Sequence, residues 1–402
     1  MSWRSLLAAA SCAIGFLAAV PAGRAADLHP AGRVRLIRVP DQGLQPQIAL
    51  DERGTLHLVY YKGEPKAGNL FYASSNDGGA TFSTAIPVNS GPASAVAAGS
   101  IRGAQIAAAA GRVHVAWNGS MKAQPKAPLD PDQPAGSPHN GAPMLYSRLS
   151  AAGTAFEPQR NLMLRSLALD GGGSVAADTA GNVYVAWHGR SPEGPRGEAG
   201  RQVWIAASRD GGKTFAPERP AWSEPTGACA CCGLRVFAGP SRQVSILYRS
   251  ARESVDRDIY LLASRDGETF RGKRVHGWKI GACPVSSMHL VEGPEGVLGA
   301  WETEDQVYFA RLNPVTLEVS PPVSAPGQAK RRKHPRLAAG QAGETLLVWT
   351  EGGSYSKGGD LAWQIFDRTG RPAGEPGRAL SIPAYSFGAA LARSGGGFTI
   401  LY

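Results

Sequence analysis

One pattern recurs along the chain: a turn containing glycine, then a short β-rich run that ends in an aromatic residue. It reads "LHLVY" ending at Tyr60, "VHVAW" at Trp117, "VYVAW" at Trp187 and "VSILY" at Tyr248, then "VLGAW" at Trp301, "TLLVW" at Trp349 and "FTILY" at Tyr402. Successive aromatics lie 57, 70, 61, 53, 48 and 53 residues apart. A smaller apolar run precedes most of them ("PQIALD", "GSVAAD", "HPRLAA"), and a third follows most ("NLFYAS", "QVWIAAS", "DIYLLAS"). Short runs between glycine-rich turns, with no helical period, predict an all-β chain. Repeats of this length are four-stranded blades that need their neighbours to bury both faces. The expected fold is therefore one β-propeller domain of seven blades over residues 27–402, with six blades as the alternative. The last repeat has only two strands, so "GRVRLIRVP" near the N-terminus is expected to supply its outer strand and remove the open edge.

Composition agrees with this reading: 51 Gly, 30 Pro and 9 Trp suit a turn-rich globular β-protein. The start, "MSWR" followed by an apolar run from Leu6 to Val20 and then "PAGRAAD", has the form of a secretory signal peptide over residues 1–26. That run is too short for a comfortable membrane span, and no other segment comes near one. The expected product is exported, periplasmic or secreted, and monomeric. Without Arg4 and Arg24 it keeps 40 basic residues against 32 acidic ones, about +8, which favours anionic partners. The basic residues lack the aromatic interleaving that would argue for nucleic acid. No P-loop, dinucleotide fingerprint, HExxH or GxSxG is present.

Three repeats carry a further mark between their third and fourth strands: "SNDGGATF" from Ser75, "SRDGGKTF" from Ser208 and the shorter "SRDGETF" from Ser264. The aspartate can bond the turn's own amides, glycine permits positive φ, and the aromatic anchors the loop. The pattern resembles the Asp-box, or BNR repeat, of the sialidase superfamily. That resemblance implies a propeller, and places these turns on the face away from the central pocket. It also implies a test of activity. Sialidases clamp a substrate carboxylate with three arginines, but aligning "QPQIALD" on the sialidase N-terminal motif puts Leu44 where an arginine belongs; Arg38 lies one strand too early. "AYSFGAALARSGGGFTILY" resembles the sialidase Tyr-Ser segment, which makes Tyr385 the candidate nucleophile. Arg249 is then a partner, and Glu302 or Glu351 the carboxylate base.

Cys229, Cys231 and Cys232 fall in "TGACACCGL", before the first strand of the fourth repeat; Cys283, in "GACPVSSMHL", falls before the first strand of the fifth. Neighbouring blades should therefore present these cysteines at equivalent points around the central pocket. Disulfides are one reading of an even thiol count in an exported chain. A vicinal Cys231–Cys232 bridge would be strained, whereas Cys283 can pair with one of the trio more easily. A soft metal such as copper or zinc is the other reading, with His289 or Met288 completing the ligands. The "CACC" and "GACP" stretches are similar to those of a subgroup of secreted bacterial sialidase-like propellers. His188, Arg249 and Glu302 follow strand aromatics on the same face, and "KRRKHPR" brings Arg332 and Arg336 there. Those basic residues are candidates to hold a small-molecule or glycan ligand, for instance an acidic sugar. Two Pro/Gly-rich insertions, after Trp117 and after Trp187, are candidate lids. The expected function is ligand binding without hydrolysis, with a sialidase or related glycoside hydrolase as the rival.

Overall fold

The structure, a computed structural model, describes Met1 and residues 33–402 apart from 100, 135, 138, 139, 329 and 330. The expected signal peptide and Cys12 lie outside the described residues, as does Lys330 of the basic run.

The described residues form seven sheets in chain order. Six have four antiparallel strands, each strand bonded to the next in sequence. The seventh has three. Val34–Ile37 from the N-terminal side pairs parallel with Phe398–Leu401, which pairs antiparallel with Ala389–Ala392. The early segment thus covers the edge left by the two-stranded last repeat, as expected. The first strands of the sheets are Leu44–Leu50, Gln105–Ala109, Ser174–Ala177, Arg235–Ala238, His289–Gly293, Lys333–Ala339 and Ala389–Ala392. Each packs against its successor, and the last packs against the first, an arrangement consistent with a β-propeller.

Residue types follow position. The first strands converge, so they carry small residues such as Ala107, Ala176 and Ala338. The second strands are apolar on both faces because a neighbouring sheet lies against each one. Tyr60, Trp117, Trp187, Tyr248, Trp301 and Trp349 are all buried there, and only Tyr402 is partly exposed. The three Ser-x-Asp turns join third and fourth strands. In the first, Asp77 Oδ1 accepts from the Thr81 amide at 2.9 Å and Oδ2 from the Thr81 hydroxyl at 2.6 Å. Asp210 makes the same pair of bonds to Thr214. The one-residue-shorter turn keeps the amide bonds, from Glu268 and Thr269 to Asp266.

Candidate functional site

The cysteine loop enters the fourth sheet, and neighbours on several sides fix its backbone. The Cys229 amide donates to the Arg249 carbonyl at 2.9 Å, the Gly233 amide to Ser286 at 2.9 Å, and the Ile101 amide to the Cys231 carbonyl. Glu198, from the insertion after Trp187, accepts the Ala230 amide at 2.9 Å and pairs with Arg257 at 2.6 Å. That insertion therefore packs on the cysteine loop, and Arg190 at its start ties it to Asp130 of the other insertion. Gly171 lies directly beneath: a Cβ there would collide with the carbonyls of Ala230 and Cys232.

Held this way, Cys229, Cys231 and Cys232 are buried together with Met288 and Trp301. Their sulfurs are 3.3, 3.4 and 3.9 Å apart. Those separations are far beyond a covalent S–S bond of about 2.05 Å, and all four described cysteines are free thiols. The disulfide reading is corrected to this extent. Cys283 is exposed and does not join the three sulfurs that lie within 4.8 Å of one another. Interaction with Cys231 draws the Cys283 thiol down to about 7. Burial opposes ionisation of Cys232, but hydrogen bonds from Cys229 and Cys231 and the charge of Arg249 outweigh it and hold that thiol well below its ordinary value. Hydrogen bonds to Cys229, Cys232 and Cys283, with burial, push Cys231 up.

Two histidines adjoin it electrostatically. His188 is fully buried, both its ring nitrogens lack a partner, and burial lowers it to about 4 despite the nearby Cys232. His334 is likewise buried with both nitrogens unpartnered, against the rings of Tyr355 and Phe387. His289 does not join the sulfurs. Its Nδ1 accepts the Leu337 amide at 3.2 Å, and it lines a central cavity. Its neighbour Met288, the other suggested ligand, does pack with the cysteines.

Two of the hydrolase candidates are spent on each other. Arg249 and Glu302 are both fully buried and paired at 3.1 Å, with Arg249 also donating to the Arg257 carbonyl at 2.8 Å. Burial raises the Glu302 carboxyl to about 7, against the pull of Arg249 and Lys333. Glu351 is engaged by Arg332 and Arg378. Arg332 donates further to the carbonyls of Ala325 and Pro326, so it turns inward from the surface expected for the basic run. Tyr385 has positive φ, donates its amide to the Tyr355 carbonyl at 2.6 Å, and stands edge-on to that ring at 5.6 Å.

A cavity of about 390 Å³ runs along the centre, lined by all seven first strands. Gln47, Arg235, His289 and Arg336 line it, along with Leu50, Ala177, Glu292 and Ala392. Arg336 lies 4.5 Å below the ring of Phe387, which forms a buried apolar cluster with Ile101 and Tyr355. A second cavity shares Leu50, Ala177, Phe237 and Glu292 with the first and continues to Asp51, Asp178 and Pro240, in the turns after first strands. The arginine end is thus roofed on the cysteine side, and the channel continues toward the opposite face.

Each of these two arginines uses only part of its guanidinium. Arg235 donates through Nη1 to Gln105, and Arg336 through Nη1 to Ser287 at 2.9 Å and the Pro335 carbonyl at 2.9 Å. Their Nε groups, and Nε2 of Gln47, have no partner. Burial lowers Arg235 to about 10 and Arg336 to about 9, and the charge of Arg235 adds to the latter. Arg235, Gln47 and His334 were not singled out from the sequence. The only signal was a polar residue opening an otherwise apolar first strand.

A scan against protein-family models found no match, and neither did a search of curated proteins. Solved structures do resemble the chain. The intramolecular trans-sialidase of Ruminococcus gnavus, in complex with oseltamivir carboxylate, is 12% identical with a TM-score of 0.52, covering 82% of this chain and 95% of that one. The α-L-arabinanase of Penicillium chrysogenum, with arabinobiose, is 14% identical with a TM-score of 0.51, covering 83% and 95%. A Hadza microbial sialidase is 14% identical with a TM-score of 0.48; the match covers 77% of this chain and 64% of that one, under two thirds of its length. The likeness is one of fold, shared with sialidases and a propeller glycosidase.

Proposed function

We propose that this chain is an exported, closed seven-bladed propeller of the sialidase-like kind. It binds, and does not cleave, an acidic sugar or similar carboxylate through Arg235 and Arg336. The observation that carries this reading is chemical. Arg235, half-buried, and Arg336, buried, line one cavity; among the described residues neither has a carboxylate within ion-pair distance, and the Nε–Nη2 edge of each lacks a protein partner. That edge is the fork that grips a carboxylate bidentately. Buried charges are ordinarily paired, so an anion is the missing partner. The trans-sialidase neighbour was solved with a carboxylate ligand, in keeping with a propeller centre suited to anions.

Binding without hydrolysis is supported by the fate of the catalytic candidates. Arg249 and Glu302 neutralise each other, Glu351 is held by two arginines, and Tyr385 is placed against Tyr355. The test is a thermal-shift and calorimetric screen of sialic acid, glucuronate and galacturonate, against wild type and Arg336→Met, beside a fluorogenic sialoside assay. A sugar acid should stabilise wild type and lose that effect in Arg336→Met. No response to any carboxylate would overturn the reading. So would sialoside turnover that Tyr385→Phe abolishes.

A further inference from the structure

We propose that Cys229, Cys231 and Cys232 form a binding site for one thiophilic d¹⁰ cation, zinc(II) or copper(I). Three thiols packed this closely could be a redox pair with a spare, a fortuitous core contact, or a ligand set. Their geometry separates these. A circle through sulfurs 3.3, 3.4 and 3.9 Å apart has a radius of about 2.1 Å, so an ion at the usual 2.3 Å from each sits about 1 Å out of their plane. That is a pyramid slightly steeper than the roughly 0.8 Å of a regular tetrahedral ion, with its fourth position open. The sulfurs need to spread by only about 0.4 Å to accept it, whereas forming any S–S bond would require one of them to move by more than an ångström.

The surroundings agree with the ligand chemistry. Thiolates bind soft cations, and an imidazole must be neutral to coordinate. His188 is buried, neutral and without a hydrogen-bond partner at either nitrogen, an unusual state for a buried polar ring. The Glu198 and Gly171 contacts fix the loop before any ion arrives, so little ordering is left for binding to pay for. Cys283, exposed where the other three are buried, is the described thiol a metal donor in solution would meet first.

The experiment uses the whole secreted chain, reduced and stripped of metal, with two probes. Cobalt(II), as a stand-in for zinc(II), should give one equivalent of tetrahedral binding with a sulfur charge-transfer band in the near ultraviolet. Copper(I), delivered from a chromophoric chelator, should be removed from it by one equivalent per chain. Stoichiometric binding of either ion supports the proposal and identifies which ion the site prefers. Cys232→Ser should abolish or weaken binding at least tenfold, and Cys283→Ser should leave one equivalent bound. If Cys232→Ser does not fold, alkylation of the wild type replaces it: bound metal should protect three thiols and leave Cys283 reactive. Failure of both ions to bind at stoichiometry would overturn the site. Binding that depends on Cys283 but not Cys232, or equal alkylation with and without metal, would do so as well. None of these outcomes depends on Arg336, so the carboxylate reading stands or falls separately.

Discussion

Replacing Arg249 by Met separates a structural arginine from a ligand-binding one. Arg249 and Glu302 are fully buried and bonded at 3.1 Å, so the variant strands a carboxylate in the core. Breaking a buried pair on one side costs about 3–5 kcal/mol. Unfolding entropy near 2.1 cal/mol/K per residue over some 370 residues makes each kcal/mol worth about 1.3 °C, hence a loss of about 4–6 °C. The loss should depend on pH, because burial already raises the Glu302 carboxyl to about 7 from an ordinary value near 4.5. A carboxyl raised on folding contributes stability that is present below its unfolded value and fades as pH rises through its folded one, here between about 4.5 and 7. At pH 5, Glu302 is protonated in the fold, and the variant lacks mainly the bonds to the Arg257 and Glu302 carbonyls, a deficit of about 1–3 kcal/mol. At pH 8 the full cost applies. Scanning calorimetry at both pH values is the assay, and Arg249→Met/Glu302→Gln should remove most of the pH-dependent part. Equal deficits at pH 5 and pH 8, or an unchanged midpoint, would refute this account and return Arg249 to the list of substrate ligands.

Trp301→Ala should lower stability by about 3–5 kcal/mol, since the ring is fully buried and its Nε1 donates to His276 at 2.9 Å; Tyr402→Ala, at a partly exposed position, should cost clearly less by the same calorimetry. Hydrogen bonds from Thr81 to Asp77, and from the Thr269 amide to Asp266, hold both carboxyls down to about 2. Depressed carboxyls contribute stability above their unfolded value near 3.8 and lose it as pH falls toward 2. Melting midpoints should therefore drop between pH 4 and pH 2, and less steeply in Asp77→Asn/Asp266→Asn.

How much of this the sequence shows depends on whether a residue acts locally. Strands ending in Trp117, Trp187, Trp301 and Trp349 are legible because each is buried on both faces by its repeat neighbours, so its apolar run is written in its own residues. The Asp77, Asp210 and Asp266 turns are legible because the aspartate bonds amides within four residues. Partnerships across sheets leave no such mark. Nothing near Arg249 in sequence says that Glu302, 53 residues on, cancels its charge. Nothing in "KRRKHPR" says that Arg332 turns inward onto backbone carbonyls while His334 lies beneath a tyrosine. The cysteines are an intermediate case. The spacing of Cys229, Cys231 and Cys232 is enough to put three sulfurs in one loop, but their separations rest on contacts with Glu198, Gly171 and Ser286 from elsewhere in the chain.

The two sites also explain why the face expected to be open is closed. In a propeller, the loops entering first strands surround one end of the channel. Here that end carries Phe387, Tyr355 and Ile101, packed over Arg336, and Ile101 is bonded to the Cys231 carbonyl. The roof of the arginine cavity and the wall of the cysteine cluster therefore share one strut.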